Sequence, residues 1–402
     1  MSSTRTALVV GGGIAGPVAA LALQKAGVEA TVYEAYASTA DGVGGSLAIA
    51  PNGQEALEVV GARAAAEAGS IPLHSSALSF GGREVELPQL AGLPPMRLVR
   101  RGELYRALHD LATSQGVRTE YGKRLVGAEE DAGGVTARFA DGTSARADVL
   151  IGADGVHSVV RKLIDPGAPD PGYTGVLGFE GVADHRVRRE PGSQTFTFGR
   201  RAYYLYWPRP DGRTGWGANL PQDKPMPLAA AREVPAEEWL RLLRETYGDD
   251  DPGGDLMRST PAENLQVSGS LHILPHVPRW HTGRMVLVGD AVHAPSNSSG
   301  QGASLAVESA VELARCLRDI PDPSSAFDAY ERSRRPRVEK VAARAAKTNT
   351  LKAPGPVARV LTPVLMRVLL KTALDPEKAF GAEQRYRIDW DAPVRAAESA
   401  AT

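Results

Sequence analysis

A chain of 402 residues has room for two or three domains and a sizeable core. With 46 Lys and Arg against 47 Asp and Glu the formal net charge is −1, so nothing in the balance marks nucleic acid or an anionic membrane surface as the main partner. The single cysteine, Cys316, excludes an internal disulfide and sits in an apolar helical pattern as a core thiol, which fits a reducing cytoplasm.

In chain order, residues 7–10 form a continuous apolar run that enters Gly11-x-Gly13-Ile14-Ala15-Gly16. The apolar spacing then turns helical through Leu23 and stops at Gly27. A second short run, residues 30–33, ends on Glu34, eighteen positions after Gly16. Strand, tight turn, helix, strand and acid form the context in which this glycine pattern reads as a dinucleotide fingerprint. Gly11 makes the turn, Gly13 admits backbone N–H groups to a pyrophosphate, and Gly16 lets the helix lie close to the strand. Pro17 gives up no needed N–H in the first helical turn, and the free amides and positive dipole end there face phosphate. Glu34 accepts both hydroxyls of an adenosine ribose and repels a 2′-phosphate, so FAD or NAD is expected before NADP. The strand starts almost at the N-terminus, so no leader peptide is expected.

A glycine-rich connection follows (Gly42, Gly44, Gly45), then a helix over about 53–60 and a β-hairpin over 75–80 and 84–87. Arg101 precedes a helix expected over 103–114, and residues 117–147 alternate short strands with turns. The apolar run 149–151 leads into Asp154-Gly155, with Ser158 and Arg161 in the next turn. That set suits a ribose or ribityl hydroxyl and a phosphate oxygen, and it equally suits an ordinary capped helix start.

From about 165 to 276 the chain is rich in Pro, Gly and aromatics, with strands expected at 194–198, 202–207 and 214–219 and a helix at 235–247. On the middle strand Tyr204 and Tyr206 share one face, and Tyr203, Leu205 and Trp207 the other. One face is expected to line a pocket, with Tyr204, Tyr206 and Trp216 as substrate candidates; aromatic strands also pack as plain core. Residues 284–288 return to a core strand. Gly289-Asp290, His293, Pro295, Asn297 and Gly300-Gln301-Gly302 then lead to a helix expected over 303–317. The remainder reads as helical with a break at residues 354–356. Apolar positions within 357–374 fall on one helical face, so that stretch is expected to pack rather than to span a bilayer.

The glycine fingerprint, Asp154-Gly155 and Gly289-Asp290, in this order and spacing, resemble the three fingerprints of the class A flavoprotein monooxygenases, the p-hydroxybenzoate hydroxylase-like family. The resemblance runs from residue 6 to about 345. It implies an α/β fold: a Rossmann-like FAD-binding domain (1–70, 98–165 and 279–335), an inserted antiparallel β-sheet substrate domain (71–97 and 166–278) and a helical C-terminal segment (336–402). By the same resemblance Gly11, Gly13, Ile14, Ala15, Gly16 and Glu34 hold the ADP half of FAD, and Gly45 and Arg101 lie by the flavin. Asp154, Gly155 and Arg161 serve FAD, Gly289 and Asp290 bind the ribityl chain, and Pro295, Gly300, Gln301 and Gly302 lie at the flavin, with backbone N–H groups near its pyrimidine edge. His293 is a base for a phenolic substrate or a structural member of its loop.

The implied reaction is reduction of FAD by NADH or NADPH, formation of a C4a-hydroperoxide with O₂, and transfer of its distal OH to an aromatic or polyketide-like small molecule of secondary metabolism. No metal is implied, and a monomer or homodimer is expected. Two departures stand out: Asn297 occupies the place of a common proline beside the peroxide-forming carbon, and Ser304 that of a common asparagine. The first keeps open a flavoprotein that reduces or dehydrogenates without inserting oxygen. A non-catalytic dinucleotide module is opposed by the full motif set.

Overall fold

The computed structural model describes residues 4–38, 44–274, 276–352 and 375–396. A five-stranded parallel sheet runs in the order Met285–Leu287, Val149–Gly152, Thr6–Val10, Glu29–Tyr33, Arg118–Glu120. Its three inner strands are buried throughout or nearly so, which is why the sequence reads there as unbroken apolar runs instead of alternation. The helices Ala15–Lys25 and Gly302–Asp319 pack on one another beside this sheet. A three-stranded antiparallel meander spans Leu125–Asp131, Gly134–Phe139 and Ser144–Ala147.

A seven-stranded sheet forms the second layer, in the order Leu265–Ile273, Gly172–Ala183, Thr214–Pro221, Tyr203–Pro208, Ser193–Phe198, Ser75–Phe80, Arg83–Leu87. All neighbours are antiparallel except Ser193–Phe198 with Ser75–Phe80, which pair parallel and join chain segments more than a hundred residues apart. Between the layers lies a small sheet of Ser46–Ile49, Met96–Arg100 and Ile71–Leu73. Ile71–Leu73 therefore pairs away from the hairpin that follows it, where Leu73 packs with Leu98 and Trp207.

The α/β architecture is the expected one, with a parallel nucleotide-type sheet, a large mostly antiparallel sheet and C-terminal helices. The strands expected at 194–198, 202–207 and 214–219 are found within a residue or two, and the expected helix at 303–317 runs over Gly302–Asp319. Two long strands without a sequence expectation, Gly172–Ala183 and Leu265–Ile273, complete the large sheet. A thirty-residue helix, Pro323–Lys352, follows. The break at 354–356, the apolar stretch at 357–374 and Gly42 lie outside the described residues. Among the described residues no helix is long and apolar enough to cross a membrane.

Candidate active site

The strands 285–287, 149–152 and 6–10 lie side by side from one edge of the parallel sheet inward, so the loops at their carboxyl ends are neighbours. All three reach one cavity of about 2680 Å³ that opens between them and one face of the seven-stranded sheet. That position, outside the carboxyl ends of parallel strands, is where open α/β sheets bind ligands. The volume is two to three times the roughly 1,000 Å³ at the upper end for one small-molecule pocket.

The first loop is packed to backbone contact. Gly11 has φ +105°, and a Cβ on it would fall 2.5 Å from the Ala153 carbonyl oxygen; one on Gly16 would fall 1.9 Å from the Gly11 oxygen. Glu34 closes the loop from behind: its carboxylate accepts from the Gly12 amide at 2.6 Å and the Tyr36 amide at 2.8 Å. His109 Nε2 lies 2.9 Å from the Gly12 oxygen. Arg101, Tyr105 and His109 follow one another at intervals of four on the helix Arg101–Ser114, hence on one face. Arg101 and Tyr105 line the cavity.

Asp290 stands on the turn after Met285–Leu287 and is exposed to the cavity, with no side-chain hydrogen bond among the described residues. Burial pushes its carboxyl above the ordinary range, against the opposing pull of Arg101. The Arg101 Nε–H is itself buried without an acceptor among the described residues. An acceptor and a donor are thus left over on the same wall.

The third loop ends at the first turn of Gly302–Asp319, whose amino end faces the cavity. Asn52 Nδ2 donates to Gln301 Oε1 at 2.9 Å and to Glu308 Oε1 at 2.7 Å. Glu308 is fully buried between Arg334 at 2.6 Å and Arg337 at 2.8 Å. Burial raises its carboxyl, but the two guanidinium groups and Asn52 outweigh that and hold it below the ordinary range. A carboxylate only accepts, so it fixes which end of the Asn52 amide faces it, and Asn52 in turn occupies the carbonyl end of Gln301.

Of the sequence-predicted residues, Gly13, Ile14 and Ala15 line the cavity from the first loop, and Gly155 from the second. Asp290, Pro295, Asn297 and Gly300 to Gly302 line it from the third. Gly11, Gly16, Glu34, Gly45 and Gly289 lie outside its lining. Asp154 also lies outside it: Ser158 Oγ at 2.5 Å and the amides of Val159 at 2.7 Å and Val160 at 3.1 Å take its carboxylate, so it caps the helix Val159–Ile164.

Other expectations are corrected. Arg161 is buried and spends its guanidinium on the carbonyls of Ala291 at 2.9 Å and Val156 at 2.8 Å, which ties two loops together and leaves no reach to a phosphate. His293 is 3% exposed, absent from the cavity wall, and held by Ser309 Oγ at 2.9 Å. Tyr204, Tyr206 and Trp216 point to the other side of the sheet, into a core with the helices there. Tyr204 OH accepts from the Gly253 amide at 3.1 Å, Tyr206 OH donates to Glu84 at 2.8 Å and Trp216 Nε1 to Thr260 at 2.9 Å. Alternation then turns Tyr203 and Leu205 to the cavity.

A sequence model described as an FAD binding domain matches residues 4–198 and 265–345. An FAD-dependent urate hydroxylase of Klebsiella pneumoniae is 31% identical over 351 residues, covering 85% of this chain and 88% of that one. A 3-amino-4-hydroxybenzoate 2-monooxygenase of Streptomyces cremeus is 31% identical over 84% of this chain and 85% of its own length. The chain belongs to the FAD-dependent aromatic monooxygenases of the p-hydroxybenzoate hydroxylase family. An aurachin C monooxygenase/isomerase of Stigmatella aurantiaca is 30% identical over 82% of this chain and 85% of its own. The crystal structure of Klebsiella pneumoniae HpxO complexed with FAD and uric acid superposes with a TM-score of 0.80 at 26% identity, covering 95% of this chain and 96% of that one. This monooxygenase uses FAD, takes its electrons from NAD(P)H and acts on an aromatic small molecule. Its own residues suit FAD: a glycine loop bare of side chains, a carboxylate open to the cavity at Asp290 and a spare N–H at Arg101.

Sequence reasoning missed Tyr105, His109, Asn52 and Glu308, and also Glu180, whose carboxylate takes both the amide and the hydroxyl of Ser46 beside Gly45. The interval of four from Arg101 to Tyr105 to His109 was the available signal; the remaining partners are distant in sequence and carry none.

Proposed function

We propose that this monooxygenase hydroxylates a carbon of an aromatic substrate held between the three nucleotide-type loops and the inner face of the seven-stranded sheet. The single cavity that joins those loops to that sheet carries the reading. In it, the amides of the first loop and the amino end of Ala15–Lys25 take the FAD pyrophosphate and Asp290 with Arg101 takes the polar groups beyond, while Glu34, which braces the first loop from outside the cavity lining, meets the adenosine ribose there. The amino end of Gly302–Asp319 favours the negative charge that a flavin ring system gains on reduction. Bound FAD supplies the redox chemistry, passing electrons from NAD(P)H to O₂ and one oxygen atom to the substrate. The chain's task is to orient the two ligands and to keep water from the space between them. Asp154 acts at one remove, by fixing the second loop through its helix cap. We place the protein in the cytoplasm, a reading supported by its one cysteine, which is buried and free, and take it to act as a monomer or homodimer.

The test is direct. Purified protein should be yellow, should oxidise NADH or NADPH faster when a substrate is present, and should give a product one oxygen atom heavier. FAD-loaded protein that returns all its reducing equivalents as H₂O₂ with every candidate substrate favours the non-oxygenating alternative raised by Asn297.

A further inference from the structure

Beyond the nucleotide-type loops the cavity runs across the large sheet, where register lines up two rows of side chains. Leu78 pairs with Phe196 and Phe196 with Leu205; in the adjacent row Phe80 pairs with Phe198 and Phe198 with Tyr203. All six line the cavity. Leu78, Phe196, Phe198 and Leu205 are only half-buried, whereas their neighbours on the opposite face, such as Ala77, Tyr204 and Tyr206, are buried. An apolar surface left open inside a cavity is a binding wall. The polar side chains of the next row, Gln194 and Ser76, bond to each other at 3.1 Å.

The Leu78–Phe196–Leu205 row carries no cation, and the second row meets one only beyond Phe80, where its exposed cross-strand partner Arg83 lies at the edge of the sheet. Among the described residues no lysine lines the cavity. Arg101 stands at the nucleotide end, Arg201 pairs with Asp249 at 3.0 Å, Arg344 pairs with Glu383, and Arg83 and Arg200 are exposed to solvent on hairpin turns. The facing segments continue the apolar character: Leu90, Leu93 and Pro94 on one side, Met226 and Leu228 on the other. A carboxylate moved from water onto the Leu78–Phe196–Leu205 row loses its hydration with no charge or donor from those side chains in return, whereas ring and alkyl surface is favoured in proportion to the area covered.

Resting on the oxygenase reading above, we propose that the substrate is a neutral, lipophilic aromatic compound larger than a single ring, with fused rings or an attached hydrocarbon chain, and that Phe196 and Leu205 select it against small aromatic anions. The flavin-loaded full-length protein is titrated with 2-heptyl-4-quinolone and 1-naphthol as neutral probes, and with 4-hydroxybenzoate and urate as anionic monitors. Binding is read by perturbation of the flavin absorbance and by ligand-stimulated NAD(P)H oxidation.

The neutral probes should bind at least tenfold more tightly than the anions. Leu205→Arg should weaken the quinolone at least tenfold, and Phe196→Gln should do the same by a change small enough for the sheet to tolerate; flavin content in each variant reports folding separately. The proposal is overturned if the anions bind as well as the neutral probes, if no neutral probe binds to flavin-loaded protein, or if both folded variants keep wild-type preference. Stimulation by anions alone sinks the substrate class and leaves the oxygenase standing, whereas protein that takes up no FAD sinks both.

Discussion

Acidification provides a quantitative check on His293 as a structural residue. The imidazole is 3% exposed, its Nε2 contacts Ser309, and its Nδ1 has no hydrogen-bond partner among the described residues. Burial, reinforced by Arg334, pushes its pKa down to about 3, against about 6.5 in an unfolded chain. The folded pKa lies below the unfolded one, so between these values the unfolded chain holds the extra proton. Stability from this group is therefore complete above about pH 6.5 and declines as the pH falls, by up to about 1.4 kcal/mol per pH unit. Between pH 7 and pH 5 the loss comes to about 2 kcal/mol. Urea unfolding of FAD-saturated wild type and His293→Asn at pH 7, 6 and 5 isolates the term, because other titrating groups are common to both. Wild type should lose about 2 kcal/mol more than the variant across that range. Equal pH slopes would refute the assignment and return His293 to the list of groups that titrate near neutrality.

Three further outcomes follow from the same geometry. Asp290→Ala removes the one cavity-facing carboxylate of the third loop, and a lost hydrogen bond to a charged group, worth about 1.5–3 kcal/mol, should raise the FAD dissociation constant some tenfold to a hundredfold in a fluorescence titration of apoprotein. Glu308→Ala leaves the buried Arg334 guanidinium and the partly buried one of Arg337 without their carboxylate and should cost about 3–5 kcal/mol, read as a lower urea midpoint; a variant within 1 kcal/mol of wild type would show that water or rearrangement satisfies them. Tyr204→Phe should cost only about 1 kcal/mol for the bond to Gly253 and leave substrate affinity unchanged, since that ring faces the helices and not the cavity; a large change in affinity would reinstate it as a substrate contact.

The parts of this molecule that were legible in the sequence are those where local chemistry and fold agree. Buried parallel strands at 7–10 and 149–151 announce themselves as apolar runs, and Gly11 and Gly16 have no alternative residue, because their Cβ positions are filled by backbone. Gly172–Ala183 escaped because glycines at 172, 175, 178 and 181 interrupt any alternation; one of them, Gly181, leaves room for the ring of Trp216, which a Cβ would approach to 2.4 Å. The choice between Tyr204 and Tyr203 as the cavity-facing residue was not legible either. Period two divides the strand into two apolar faces, and only the helices packed behind it, which come from residues 228–258, decide which face is core. Arg161 failed for a related reason: a basic residue near a phosphate-type loop serves equally to brace two loops, and the choice depends on the carbonyl of Ala291, 130 positions away.

The cavity itself is divided by polarity, and that division follows from a few fixed groups. Glu308, held by Arg334 and Arg337, accepts hydrogen bonds and cannot give them, so Asn52 must turn its NH₂ group to it and to Gln301. The carbonyl of Gln301 is thereby used, and the end of its amide left for a ligand is a donor. With the free amides at the start of Gly302–Asp319 and the Arg101 guanidinium, the nucleotide side offers donors almost throughout. The sheet side offers the ring and aliphatic surface of Leu78, Phe196 and Leu205, and the polar pair beside it, Gln194 and Ser76, is already bonded together. Two ligands of opposite character are therefore sorted within one continuous space, each toward the wall that replaces what it loses to water.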